Sequence, residues 1–429
     1  MKPIHFEIRN INAIDSYLYA GNLFVIFGDY HIGYVSFDYI IHLLRKEYPL
    51  YDNILQWAFL HNDYTNTPSG RLLLGIDRVK NALDEEWQNA QEDIDFVIDY
   101  NQIASNFTNI GELSSMPLDM RLYAMRMYIA CQNGLYESIL TPQEKTKISS
   151  APIEKIFDSK VVAVNARYGA IAISADKEGL FSSELLDIDS NIQVPDKALL
   201  RQPSYRSDWK DVDLLSYSGS NQFNYIRNEA EKTRKEQSYY YHMRNAHEFR
   251  RITQMGTEVT DMSPLLENLD IVDGDIDYCF NSGNSAFIRL KDGSFFVTDF
   301  SKRKNGPFRK NITEPQKGRK ILSSGVIPNG CVLSYYDKTV MYKGNESIEL
   351  SSDVIYGFRT YMNAIQYRSL ITINHEHNLS IFSCEDFNPL PINNDDLSSL
   401  GRVRYSNVFR RSNVPNISDR LLSGDDLPF

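Results

Sequence analysis

Three groups of residues in this 429-residue chain have the types and spacing to do chemistry. The first is Asp29-Tyr30-His31-Ile32-Gly33, directly after the apolar run Leu23-Phe24-Val25-Ile26-Phe27. An aspartate and a histidine two apart are residue types that bear chemistry, and by themselves these five residues read as a plain hairpin turn. The second is His375-Glu376-His377. Alternate residues of an extended segment share a face, so the two imidazoles could meet one cation; the competing reading is a solvated turn. His242 and His247 are five apart, which does not place them on one helical face as an i, i+4 pair would be.

The third group is cationic. The stretch 302–320 holds Lys302, Arg303, Lys304, Arg309, Lys310, Lys317, Arg319 and Lys320 against Glu314 alone, so it carries +7 within a chain of net charge −11. With its Gly and Pro it reads as one exposed loop able to bind phosphates, nucleic acid or an acidic protein surface. A second run, Arg402, Arg404, Arg410 and Arg411 with Tyr405 and Phe409, lies near the C-terminus. Tyr239, Tyr240 and Tyr241 beside Arg234, Lys235 and Arg244 offer aromatic faces interleaved with cations, which suit single-stranded nucleic acid or a protein groove.

The segment Asp29 to Gly33 resembles the Asp-x-His-x-Gly opening of the calcineurin-like metallophosphoesterases, over five residues. The resemblance implies a metal-dependent hydrolase using Asp29 and His31. That family also needs a Gly-Asp box and a Gly-Asn-His box, and Gly75-Ile76-Asp77-Arg78 and Asn374-His375-Glu376-His377 echo them only in part and at the wrong spacing. No Gly-rich phosphate loop, nucleophile elbow or kinase-type set is present. Cys131, Cys279, Cys331 and Cys384 are far apart, each in or beside an apolar run, and read as reduced, structural thiols.

The elements that must position these groups are β-hairpins. Ser285 to Phe300 is an apolar run, an Asp292-Gly293 turn and a second alternating run. The plan recurs at Asn22 to Asp38, Ile54 to Ile76, Arg121 to Leu140, Lys160 to Asp176, Asp213 to Arg227, Gly330 to Tyr342 and Ser369 to Ser383. Such repetition predicts a mainly β chain, a β-propeller of about seven blades (six to eight) over residues 1–400. A tandem β-sandwich is the alternative. The lone strand His5 to Arg9 is expected to complete the last blade and close the circle. Helical insertions are expected near 77–100, from the spacing of Val79, Leu83, Trp87 and Ile94, and over 226–255, which has no Gly or Pro. Residues 401–429 read as a peripheral tail.

Function follows from that architecture as an expectation: a noncatalytic scaffold that docks protein partners, with no cofactor. The alternatives are nucleic-acid or nucleotide binding through 302–320, and the Asp29/His31 hydrolase. Catalysis in the central channel, built from residues distant in sequence, would be invisible to motif reading. The opening residues lack a signal-peptide core and no run is long enough to span a membrane, so a cytoplasmic protein with no membrane partner is expected.

Overall fold

The computed structural model of the chain describes residues 2–60, 68–93, 95–143, 147–185, 190–233, 249–263, 266, 269, 271–282, 285–299, 309–312, 318–344 and 346–385. Its strands form seven sheets. The first strand, β1 (Ile4–Arg9), belongs to the last of them. Blade 1 consists of β2 (Ala13–Tyr19), β3 (Asn22–Phe27), β4 (His31–Ser36) and, after an insertion containing β5 (Phe96–Asp99), β6 (Thr108–Glu112). In blade 2, β7 (Pro117–Tyr123), β8 (Arg126–Cys131) and β9 (Gly134–Pro142) are flanked by β10 (Ile148–Ser150) and β11 (Glu154–Phe157), which both pair with β9. Blade 3 has three strands: β12 (Ala163–Arg167), β13 (Ala170–Ser174) and β14 (Leu180–Glu184). Blade 4 is β15 (Arg206–Lys210), β16 (Asp213–Tyr217), β17 (Phe223–Thr233) and β18 (Phe249–Thr260). Blade 5 is β19 (Ile276–Ser282), β20 (Ser285–Leu290), β21 (Phe295–Asp299) and β22 (Arg309–Asn311). Blade 6 is β23 (Ser323–Ile327), β24 (Gly330–Ser334), β25 (Thr339–Lys343) and β26 (Glu346–Ser351).

Blade 7 closes the ring. β27 (Gly357–Thr360), β28 (Leu370–Asn374) and β29 (Asn378–Ser383) are joined by β1, antiparallel to β29 with Ile4 opposite Ser383 and Arg9 opposite Asn378. The strand without a local partner therefore finds one at the far end of the chain, as its isolation in the sequence suggested. The first strands of the blades, β2, β7, β12, β15, β19, β23 and β27, touch in that cyclic order. This is a seven-bladed β-propeller, and the cyclic order excludes the sandwich alternative. Every residue of β3, β8 and β13 is buried, because each blade is covered on both faces by its neighbours.

Alternating strand direction gives the ring two faces. The upper face carries the turns from second to third strand and the connections between blades; the lower carries the turns from first to second strand and from third to fourth. Main-chain bonds within the upper face agree: the Ile11 N–H donates to the His377 carbonyl at 3.0 Å, and Gln132 N–H to Met116 at 3.1 Å.

On the lower face three successive blade junctions repeat one contact. The Tyr367 hydroxyl of blade 7 accepts from Gly21 N–H at 2.7 Å, the Tyr19 hydroxyl of blade 1 accepts from Met125 N–H at 2.9 Å, and the Tyr123 hydroxyl of blade 2 accepts from Gly169 N–H at 3.1 Å. The receiving turns, Ala20-Gly21, Ala124-Met125 and Tyr168-Gly169, have both residues at positive φ. That matches the twist of a two-residue hairpin but disfavours Ala, Met and Tyr by roughly 1–2 kcal/mol each. The neighbouring tyrosine holds the strained turn.

Two expected elements are different in the structure. Ile54–Leu60 and Arg71–Ile76 are not a hairpin. They fall in helices α2 (Asp52–Leu55), a π-helical turn (Gln56–Leu60) and α3 (Pro68–Leu74). Short apolar runs do not distinguish a buried strand from a buried helix. Together with α1 (Phe37–Glu47), capped by Ser36, and α4 (Asp77–Asp93), these helices form the insertion between β4 and β6. The helix expected near 77–100 is α4 over its first part, followed by β5, which pairs parallel to β1, and α5 (Tyr100–Ile103). Phe6 of β1 meets Phe37 and Phe59, and Trp87 Nε1 donates to the Lys2 carbonyl at 2.8 Å, so the insertion packs over the closing strand.

The helix expected over 226–255 is replaced, in its described parts, by strands β17 and β18. Their register runs from Tyr225 opposite Thr260 to Thr233 opposite Phe249. Pairing with an existing sheet overrides helix propensity. Residues 234–248, which include Tyr239, Tyr240 and Tyr241, lie outside the described residues, as do residues 386–429, the tail expected over 401–429 among them.

Tyr123→Phe should leave the Gly169 N–H without its acceptor and cost about 1–2 kcal/mol, read as a lower urea midpoint with unchanged slope. An unchanged midpoint would show that this hydroxyl does not hold the junction.

Candidate functional site

The residues that converge in space come from the first strands, which no motif search can assemble. Arg359 of β27 reaches across two junctions. Its Nε donates to Asp15 Oδ1 of β2 at 2.8 Å, and its Nη2 bonds both Asp15 Oδ2 and, at 2.9 Å, Asp119 Oδ1 of β7. Asp119 Oδ2 accepts in turn from Val164 N–H of β12 at 2.8 Å. Tyr17 lies under the Arg359 and Arg121 guanidinium groups at 5.3 and 5.8 Å. One ionic chain thus links blades 7, 1, 2 and 3.

Opposite it, Arg206 of β15 does the same for blades 4, 5 and 6. Its Nη1 donates to the Tyr278 hydroxyl at 2.9 Å and to Ser324 Oγ at 3.3 Å, its Nη2 to the Cys279 carbonyl at 2.8 Å, and its guanidinium stacks 4.1 Å over Tyr217. Asp208 stands 3.6 Å from Nε. Burial pushes the Asp15 and Asp208 carboxyls up, against the opposing pull of Arg359 and Arg206. Between the two systems is a cavity of about 150 Å³ whose walls include Tyr17, Arg121, Asn165, Arg206, Asp208 and Tyr361. Its charged groups face strands of neighbouring blades, where they join the sheets.

The upper face carries a different chemistry. Of the twelve large apolar side chains that are exposed among the described residues, nine sit on upper-face connections or within two residues of them: Met116, Leu118, Tyr205, Val259, Val272, Leu322, Tyr336, Val354 and Tyr356. The other three, Leu50, Leu73 and Ile76, belong to the helical insertion. Tyr336 is 77% exposed, beside the Arg319–Asp337 ion pair at 2.5 Å. Single exposed apolar residues are ordinary on a surface, but their concentration on one face is not.

The residues singled out in the sequence are dispersed. Asp29 and His31 flank the β3–β4 turn, 71% and 35% exposed, with His31 Nδ1 2.5 Å from Asp29 Oδ1 and its ring stacked on Phe27 at 4.1 Å. What burial Asp29 has pushes its carboxyl up, but hydrogen bonds from the His31 ring and backbone outweigh this and hold it below the ordinary range. His375, Glu376 and His377 form the β28–β29 turn, with His377 and Glu376 largely exposed. Among the described residues no three His, Cys, Asp or Glu side chains come together as a metal would require. All four cysteines are free and buried, and burial pushes Cys131 and Cys384 to about 12, so these thiols stay protonated at neutral pH.

The cationic stretch is not a single loop. Strand β22 runs through it, so Arg309 and Lys310 are part of blade 5, paired with β21. Arg319 and Lys320 lie beyond β22 in the upper connection to blade 6, where Arg319 bonds Asp337 and holds its carboxyl below the usual range. Lys302, Arg303, Lys304, Lys317, Arg410 and Arg411 lie outside the described residues.

No protein-family model and no curated protein sequence matches the chain. Among solved structures it is similar to the Myceliophteria thermophila Cps50 (Swd1) β-propeller domain, at 8% identity and a TM-score of 0.46, over 89% of this chain and 99% of that one. It is also similar to YCF48 bound to D1 peptide (8% identity, TM-score 0.43, 88% and 96% covered). A chain of the mitotic checkpoint complex is a further match (7% identity, TM-score 0.39, 66% and 82% covered). The likeness is one of fold, and the propeller itself rests on the strand pairing above. No described helix is long and apolar enough to cross a membrane.

Arg359→Met should leave two carboxylates facing each other and destabilise the protein by roughly 3–5 kcal/mol, whereas the triple change with Asp15→Asn and Asp119→Asn should recover most of that loss. Urea unfolding of both variants decides it; equal destabilisation would mean that packing, not charge, dominates. His5, stacked on Phe382 across the closing pair, and His375 in the same blade are both held below the ordinary histidine value by burial. The unfolded chain therefore takes up protons first as pH falls below about 6.5, and stability should drop progressively from there. His5→Phe should flatten the fall in Tm between pH 7 and pH 5; an identical profile would remove the closing strand as its source.

Proposed function

We propose that this chain is a noncatalytic, cytosolic propeller that docks a protein partner on its upper face. The observation that carries the reading is the concentration of exposed large apolar side chains on that face, from Met116 round to Tyr356. A protein interface needs a desolvated apolar centre within a polar rim, and Leu322, Tyr336, Val354 and Tyr356 lie on the connections into and out of blade 6 and on its exposed turn. The channel supports the same reading from the other side: its arginines and aspartates are engaged in joining blades.

Nucleic acid is a weaker candidate for that face. The cations expected to form one loop are divided by β22, and Arg319 is paired with Asp337.

Photo-crosslinkers placed at Tyr336 and Val354 in cells should trap one protein that the same probe at Leu50 does not. With that protein purified, the double variant Leu322→Ser, Tyr336→Ser should weaken binding at least 10-fold while leaving the urea midpoint unchanged. The reading fails if binding survives the double variant, or if RNA displaces the partner with a steep salt dependence.

A further inference from the structure

Among the described residues, blade 3 ends one strand short. Its outermost strand, β14, pairs with β13 in a register that sets Phe181 opposite Ile173, Ser183 opposite Ile171 and Glu184 opposite Ala170. The Leu185 N–H donates to the Gly169 carbonyl at 2.9 Å, which makes 183/171 and 181/173 the hydrogen-bonded pairs. The N–H and C=O groups of Leu180, Ser182 and Glu184 therefore point away from β13. Leu180 uses both of its groups on Leu200, at 2.9 and 3.2 Å, in an antiparallel bridge. That bridge is not continued. Below it the returning chain swings off the edge, touching it again where Ser183 Oγ donates to the Gln193 carbonyl at 2.9 Å.

Two anchors hold the returning chain away. Arg126 and Glu137 of blade 2, both buried and 2.5 Å apart, bond the Ser190 carbonyl and the Ile192 N–H at 2.8 Å each. On the other side Leu199 packs against Gly256 of β18, where an added Cβ would come within 2.4 Å of it. Between edge and returning chain lies an open groove of about 870 Å³, walled by Ser182, Glu184, Asn191, Gln193, Leu199 and Met255.

We propose that this groove takes an extended peptide of a partner protein, added antiparallel to β14 as the fourth strand of blade 3. A strand is the occupant the site specifies. Outward-facing main-chain groups at Ser182 and Glu184 match a backbone and carry no preference for a side chain, while alternate side chains of the guest would meet the apolar Leu199–Met255 wall and the carboxamide of Gln193. A segment of about five residues, roughly 17 Å long, is sufficient, without proline at the positions facing Ser182 and Glu184. The site is separate from the upper face and does not depend on it.

The test selects linear peptides from a displayed random library on the full-length protein and measures them against two variants. Ser182→Pro removes one outward N–H without touching the β13 ladder; Leu322→Ser with Tyr336→Ser alters the upper face. Selected peptides should lose at least 10-fold in affinity on Ser182→Pro, lose nothing on the upper-face variant, and slow hydrogen exchange at Ser182 and Glu184. The proposal is overturned if the peptides bind Ser182→Pro, provided it shows the wild-type circular dichroism, as well as wild type. It is also overturned if those two amides exchange slowly in the free protein at all concentrations, meaning the chain covers its own edge, or only at high concentration, meaning a second copy does. Should Ser182→Pro fail to fold, Glu184→Pro and the exchange measurement on wild type carry the decision.

Discussion

Every blade in this protein depends on a contact between strands far apart in the chain: the antiparallel pairing of β1 with β29 inside blade 7. An open row of seven sheets would expose the inner face of its first and last members, and the buried runs in β2 and β28 would face water. Closure removes both losses at once. The molecule reinforces the seam on three levels: six residue pairs of ladder between β1 and β29, the Arg359 bridge to Asp15 and Asp119 along the axis, and the insertion packed over β1 through Phe37, Phe59 and Trp87. The seam is also where two half-buried histidines sit.

This concentration of polar work at the centre shapes what the protein can do. A partly buried arginine shared between two carboxylates is expensive to desolvate and is tolerated where it fixes a unique arrangement. Here it sets the spacing of four consecutive first strands. Groups so engaged hold the ring together, whereas the sheet ladder stops short at the edge of β14 and exposed apolar side chains gather on the upper face.

The ring was legible in the sequence because second and third strands of most blades are apolar runs joined by recognisable turns, such as Asn133-Gly134 and Asp292-Gly293. Most first-to-second-strand turns were not, Tyr168-Gly169 within Lys160 to Asp176 being an exception. Ala124-Met125 carries no turn signal; its shape is imposed by Tyr19 from the next blade, a partner more than a hundred positions away. A still longer separation hid Arg359 with Asp15, while Ile54 to Ile76 and Ile226 to Met255 misled because local composition was outvoted by burial in one case and by strand pairing in the other. The charged stretch 302–320 looked like a single feature until a three-residue strand, too short to announce itself, divided it.

The pairing of Ile4–Arg9 with Asn378–Ser383 also has a consequence for how the protein is made. A ribosome delivers β1 long before its main partner, so while the intervening blades are made an apolar strand waits without its mate. Among the described strands β5, some ninety positions on, is the other one that pairs with it, and it can shield one edge in the meantime. The nascent chain thus has a temporary companion for its opening strand built into the same insertion that later seals the ring, and an interval of vulnerability to aggregation that ends only when synthesis passes Ser383.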